Sequence, residues 1–480
     1  MQVALARRTL TPTGLWVLGA AASAPMVVLA GGIPATYAAT QVTGVPLVFL
    51  LVGGVVGLLA VGYTAMVRQV GHAAAYYAIL AHGLGRTWGV AAGVVALVAY
   101  NAIQISLYGL VGATMAAQVG GTWWVWAGIA LTIVGVLGVR AIVLSTRVLA
   151  VVLAASLLIV AVFVAGAVAQ PAAGDLSWEG FVPGGMAVSG IGGAFALCMA
   201  ALMGIDASAS FAEEVVDRRA ISRATIGVVV ALAVVYSAAA WAMGVAVGPD
   251  KVAAVAADRA AGLPFSVLER VGGVWALLGE MMLIFAIVTS MLAFHNVVAR
   301  YVFAMAREGV LPSSLAPSSS ARVSAPRGGS LVQTSIAVAV VGGFAVTGAD
   351  PVAALFTWLS TLGALGLLCL LLGASWAAVM APAGVRGVRP GVWSWTVAPL
   401  LGLLGGVVVL GAMVFNVGSL LGAARGSLYP YLLPGIVVAA AIVGAVWAGH
   451  LRQSRPEVYY GIGRGTPKTH AIPDDINVSI

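Results

Sequence analysis

Met203-Gly204-Ile205-Asp206-Ala207-Ser208 sets a glycine and a carboxylate inside a run, from about 189 to 212, that is otherwise apolar. A helix in lipid must satisfy its backbone internally, and an Asp at its centre costs about 2.5–3.5 kcal/mol on insertion scales. About 180 residues earlier, Gly19-Ala-Ala-Ala-Ser23-Ala24-Pro25-Met26 interrupts the first apolar run. A mid-span proline removes a helix hydrogen bond, although kinks of that kind are common in membrane helices. Each break opens a run of five apolar segments. Two discontinuous helices in matching positions point to inverted repeats around a site at mid-depth.

The rest of the chain fits that reading. Of its 480 residues 61% are hydrophobic and 8% charged, with a mean hydropathy of +1.07. Soluble domains carry about 25% charged residues, so a water-soluble enzyme and a disordered chain are both excluded. The fold class expected is an all-α polytopic membrane protein of about 12 transmembrane helices. They are placed at 14–38, 45–67, 87–118, 123–139, 148–169, 189–212, 223–247, 271–306, 330–348, 352–380, 392–415 and 428–450. The organisation follows as a tail (1–13), a first repeat of helices 1–5 (14–169), a second of helices 6–10 (189–380), helices 11–12 (392–450) and a second tail (451–480).

Net charge is +8, and only Lys251 and Lys468 are lysines. Threaded with the N-terminus inside, 19 of the 23 basic residues fall on one face, leaving Lys251, Arg259, Arg270 and Arg425 on the other. Basic residues concentrate on the cytoplasmic side, so both tails, with Arg8 and Lys468, are expected in the cytoplasm. A multi-pass protein of a bacterial plasma (inner) membrane is the expectation. Cys198 and Cys369 lie in apolar runs and imply no disulfide framework. No secretory signal is apparent: the first run continues past Pro25 and Gly31-Gly32 without an obvious cleavage site.

The two breaks carry the candidate chemistry. A half-helix N-terminus offers free N–H groups to a carboxylate, and carbonyls at the end of the preceding half accept from an ammonium or coordinate a cation. An amino acid presents both charges on one carbon. Asp206 is open between contact with a substrate amine, a proton carrier, a gate and a structural acceptor. In the third span Tyr100, Asn101, Gln104 and Tyr108 form a polar stripe, read either as lining a substrate path or as helix–helix glue. In the eighth, Thr289 and Ser290 near mid-depth offer oxygens for Na⁺ or bond back to the preceding turn. In the same span Glu280 is open between a proton site and a vestibule carboxylate, and His295 is an alternative proton carrier.

Other motifs argue less. Glu213-Glu214-Val-Val-Asp217-Arg218-Arg219 reads as a solvated loop or as an inner gate. His72 and His82 are too isolated for a metal site. There is no phosphate-binding G-x-x-x-x-G-K-[ST], HExxH or G-x-S-x-G, so no cofactor and no nucleic-acid partner are expected beyond a coupling Na⁺ or H⁺. Gly461-Ile-Gly463-Arg-Gly465 lacks the strand and helix that dinucleotide binding needs. Asn477-Val-Ser479 spells a glycosylation triplet, but the threading puts it in the cytoplasm.

Three stretches carry a resemblance: Gly204-Ile-Asp206-Ala with Phe211-Ala-Glu213-Glu214; Ala293-Phe-His295-Asn296-Val-Val-Ala-Arg300-Tyr301; and Ala306-Arg307-Glu308-Gly309-Val-Leu311-Pro312. Through them the chain resembles the amino acid–polyamine–organocation permeases over nearly its whole length. The resemblance implies a LeuT-type fold, two inverted five-helix repeats plus two helices, with substrate held between the first, third, sixth and eighth helices. Ser23, Ala24, Pro25 and Met26 would then supply backbone contacts from the first, and Met203, Gly204 and Ile205 from the sixth, where Asp206 matches an acidic position of the family. The Ala-Ser-Ala-Pro-Met break departs from the usual glycine-rich one and is similar to a putrescine-importing branch. The fifth span lacks the Lys that proton-coupled relatives can carry there, which with Thr289-Ser290 strengthens the sodium reading but leaves the coupling ion open between Na⁺ and H⁺. The implied activity is alternating-access transport of amino acids, with a polyamine or amine importer or exchanger as the alternative.

Overall fold

The computed structural model describes residues 11–140, 146–186, 189–206, 215, 219–316, 327–382, 385, 391–420 and 431–465. Glu213, Glu214, Asp217, Arg218, the Asn477 triplet, Arg8 and Lys468 lie outside them.

Among the described residues there is no strand, and ten helices are long and apolar enough to cross a membrane. These are α1 (Pro12–Thr40), α2 (Val45–Val70), α4 (Arg86–Val119), α6 (Thr146–Ala169), α8 (Arg219–Val247), α11 (Gly273–Arg307), α12 (Arg327–Val346), α13 (Pro351–Met380), α14 (Trp393–Gly418) and α15 (Leu432–Ser454). Two shorter apolar helices, α5 (Trp123–Val139) and α7 (Ile191–Ala201), stand where the fourth and sixth spans were expected. All begin within four residues of the expected positions.

The remaining helices show the inverted relation. A short α3 (Ala75–Gly83) connects the second and third spans at the end that holds Arg68 and Arg86. Its counterparts α9 (Val252–Arg259) and α10 (Leu263–Val271) connect the seventh and eighth. They sit at the other end, where α9 packs on the Ile33–Thr40 turns of α1. A last helix, α16 (Pro456–Gly461), follows α15.

Burial separates centre from periphery. The most apolar windows of α1, α4 and α13 are 89, 83 and 78% buried, against 28% for α12 and α15. The outer helices turn large apolar side chains such as Leu404, Val346 and Phe415 outward, a surface that suits lipid chains and not water. Packing defines two groups: α1 and α2 lie along α8, whereas α4 packs on α5 and α11, and α12 on those same two.

Candidate functional site

Both expected breaks are present, and they meet. The first half of α1 ends at Ala22, and a new helical segment starts at Pro25. Between them Ala24 adopts φ 44°, ψ 79°, left-handed geometry that costs a residue with a Cβ of order 1–3 kcal/mol. No side chain caps the helix that begins at Pro25. On the other side α7 stops at Ala201, and the chain turns through Leu202–Gly204. Gly204 takes φ 95°, and a Cβ there would fall 2.8 Å from the Ala22 carbonyl carbon and 2.9 Å from the Ser23 nitrogen. Only glycine lets the two breaks approach so closely.

Hydroxyls stitch the junction. Ser23 donates to the Met203 carbonyl at 2.8 Å. Ser290 of α11 donates to the Ala22 carbonyl at 2.9 Å, and Tyr236 of α8 to the Ser23 carbonyl at 3.1 Å. Thr289 bonds within its own helix, to Ala286 at 2.9 Å. The structure thus holds Ser290 and the Ala22 carbonyl on each other, and Thr289 on its own turn, rather than around a shared centre.

Against the junction lies a partly open cavity of about 50 Å³. Ser23, Ala24, Ala201, Met203, Ser290 and Phe294 line it, with Ile103, Ser106 and Leu107 from α4 and Phe356 and Ser360 from α13. Ser360 donates to Ser106 at 3.1 Å. Among the described residues the wall therefore holds four serine hydroxyls and no charged side chain. The contribution of α13 was absent from the sequence reading, because a lone Ser in an apolar span carries no signal of which face it takes.

The third-helix stripe is the main correction. The face of α4 on the cavity is Ile103, Ser106 and Leu107. Gln104 and Tyr108 are buried elsewhere: Gln104 donates to Tyr108 at 2.8 Å and accepts from Gln333 of α12. Asn101 donates to the Leu97 carbonyl at 2.7 Å. His295 joins the helix–helix layer, 2.7 Å from Ser330 of α12. Glu280 is half-buried two turns into α11, away from the cavity lining.

Asp206 does not line the cavity either, and it is 4% exposed. Tyr100 donates to its Oδ2, while Oδ1 has no partner. The Tyr76 and Tyr63 hydroxyls lie near the same carboxylate, also without partners. The Tyr100 ring that holds Asp206 lies 6.4 Å from that of Phe294, which lines the cavity. Among the described residues no basic side chain pairs with Asp206, and no group of His, Cys, Asp and Glu could hold a metal ion.

The comparisons agree with this architecture. Two mutant crystal structures of the manganese transporter of Eremococcus coleocola are similar to the chain. One aligns with a TM-score of 0.54 at 15% identity, over 93% of this chain and 95% of its own. The other gives 0.53 at 16% identity, over 96% and 99%. At that identity the likeness shows the shared transporter fold alone. No curated protein matches the chain in sequence. The amino acid permease family matches residues 14–440, and with that match the chain is a multi-pass membrane transporter belonging to the amino acid permease family.

Proposed function

We propose that the chain is a secondary active transporter of small neutral amino acids, moving them across a bacterial plasma membrane by alternating access. The observation that carries this reading is the uncharged cavity between two broken helices. A zwitterion placed there would turn its carboxylate to the uncapped N-terminus at Pro25 and its ammonium to the carbonyl end of α7. About 50 Å³ is room for a few water-sized groups, which favours the smallest side chains. A diamine needs a carboxylate for its second charge, and the cavity wall has none. A divalent metal, the cargo named for the structural neighbours, needs hard oxygen or imidazole ligands in place of alanines and phenylalanines.

The threading supports a cytoplasmic location for the end that carries Arg68, Arg86, Arg307 and Arg452. For coupling, Asp206 is the proposed proton site: a buried carboxylate beside the break, with an oxygen that has no partner and, among the described residues, no cation beside it. The sodium reading of Thr289 and Ser290 requires both hydroxyls to leave their present acceptors.

Thermal stabilisation of the detergent-solubilised protein tests the substrate class. A ligand at 100 times its Kd stabilises the folded state by about 2.7 kcal/mol. Glycine, alanine or serine should raise the melting temperature, while putrescine and Mn²⁺ should not. The opposite pattern overturns the assignment. Proteoliposomes with separate sodium and proton gradients test the coupling, and uptake that follows sodium alone removes Asp206 as the carrier.

A further inference from the structure

Glu308, directly after α11, accepts four hydrogen bonds, two on each carboxylate oxygen. Its Oε1 accepts from His72 Nε2 at 3.0 Å and from the Gly465 N–H at 2.7 Å. Its Oε2 accepts from the Tyr77 hydroxyl and from the Gly463 N–H at 2.8 Å. His72 Nδ1 accepts from the Ala74 N–H at 3.0 Å, which leaves Nε2 to carry the proton it donates. Three distant parts of the chain thus converge on one carboxylate: the α2–α3 joint, α3 itself, and the segment after α15.

That segment is built to reach it. Gly463 and Gly465 have φ 76° and 69°, a backbone that turns N–H groups inward to cradle an anion. A Cβ on Gly463 would meet that of Ala81 in α3 at 2.9 Å. Upstream, the Tyr459 hydroxyl bonds Thr87 at 3.2 Å, and the Arg86 guanidinium lies over Tyr459 and Tyr460, 6.0 and 5.2 Å from the ring centroids.

The helix so clamped also reaches the site. Tyr76, beside Tyr77 on α3, stacks on Tyr63 with centroids 4.8 Å apart, gives its N–H to Tyr301 at 3.0 Å and faces Asp206. So α3 lies between Asp206 and Glu308, and it links the α1–α2–α8 group to the α4–α5–α11–α12 group. Alternating access moves such groups about a few joint residues.

We propose that residues 455–465 are a strap that holds α3 closed beneath Asp206, and that release of Gly463 and Gly465 from Glu308 permits this end of the transporter to open. The strap is independent of which substrate is carried.

Hydrogen exchange of the substrate-free, full-length protein reads it directly. Gly463→Pro with Gly465→Pro removes both donors and, because proline cannot take the φ of 76° and 69° found there, frees the segment from its turn, while Glu308 and the cavity residues are unchanged. Exchange across residues 72–83 should accelerate about tenfold or more while the other helices keep their protection, because local opening is a separate equilibrium from global unfolding. Unchanged exchange in that stretch overturns the proposal. The converse variant pairs Gly309→Cys with Val458→Cys. A Cβ at 309 would lie 4.0 Å from that of Val458, within disulfide range. Oxidised, it should slow exchange in 72–83 and lower radiolabelled alanine uptake at least about fivefold, with recovery on reduction. Full uptake by the cross-linked protein overturns the strap. If the wild type carries no alanine, the substrate reading fails, and the exchange rates still judge the strap.

Discussion

Asp206 and Glu308 are both buried carboxylates that accept from a tyrosine hydroxyl, and they differ in how completely the chain satisfies them. Glu308 has four donors, two to each oxygen. Asp206 has one, from Tyr100, and an oxygen with none. A fully satisfied buried polar group rigidifies its surroundings, whereas an incompletely satisfied one needs a separate explanation. The surroundings follow suit. Glu308 is gripped by backbone N–H groups, a histidine and a tyrosine, Asp206 among the described residues by the Tyr100 hydroxyl alone.

The contrast is sharpest in a pair of substitutions. Asp206→Asn keeps an acceptor for Tyr100 but removes the charge. Uptake should fall about 100-fold, the upper range for coupling between two sites, with the melting temperature unchanged. Wild-type uptake in this variant makes Asp206 a structural acceptor like Glu308. Glu308→Ala should do the reverse: leaving four donors facing an apolar gap costs about 2 kcal/mol, read as a lower melting temperature. An unaltered melting temperature would show that the converging bonds fasten nothing.

Acidification tests the same fastening with smaller effect. Burial pushes the Glu308 carboxyl up, but the donors, His72 foremost, outweigh it and hold it below its usual 4.5. A depressed carboxyl contributes stability that is present above the unfolded value and lost as pH falls through the folded one. Protection of residues 72–83 should therefore be level from about pH 7 to 5 and decline below about 4.5, and Glu308→Gln should abolish the dependence. A decline already complete by pH 6 removes Glu308 as the group responsible.

The smallest effect on uptake is expected at the α4–α12 layer. Replacing Gln104 and Gln333 together by Leu removes both partners of one buried bond and leaves the Tyr108 hydroxyl without its Gln104 donor, at a cost to stability of about 1–3 kcal/mol, but it touches no cavity residue. Uptake should stay within about twofold of wild type. A loss comparable to that of Asp206→Asn would return the polar stripe of α4 to the substrate path.

Much of this was legible before any coordinates. The two breaks announced themselves because proline and aspartate are costly in lipid, and the helices followed because an apolar run of fixed length admits no other structure. The α4 stripe misled because spacing gives a shared face and not the partner of that face. Once α12 supplied Gln333, the stripe had a mate away from the cavity. Ser106 and Ser360 were invisible for the complementary reason, since a hydroxyl that bonds within or between helices looks the same in sequence as one on a wall. Glu308 was noticed only as part of a marker stretch, and Gly463 and Gly465 only as a glycine pattern without a partner.

The sequence by itself determined the spans, the two breaks and the segregation of charge, because hydrophobic length, backbone satisfaction and the positive-inside bias act on local sequence. Only the tertiary structure decided which oxygen each hydroxyl serves, which face of α4 meets the cavity, and that residues 72, 77, 463 and 465 share one carboxylate. Those are contacts between residues 155 to 236 positions apart in the chain, set by how the helices pack, and no periodicity records them.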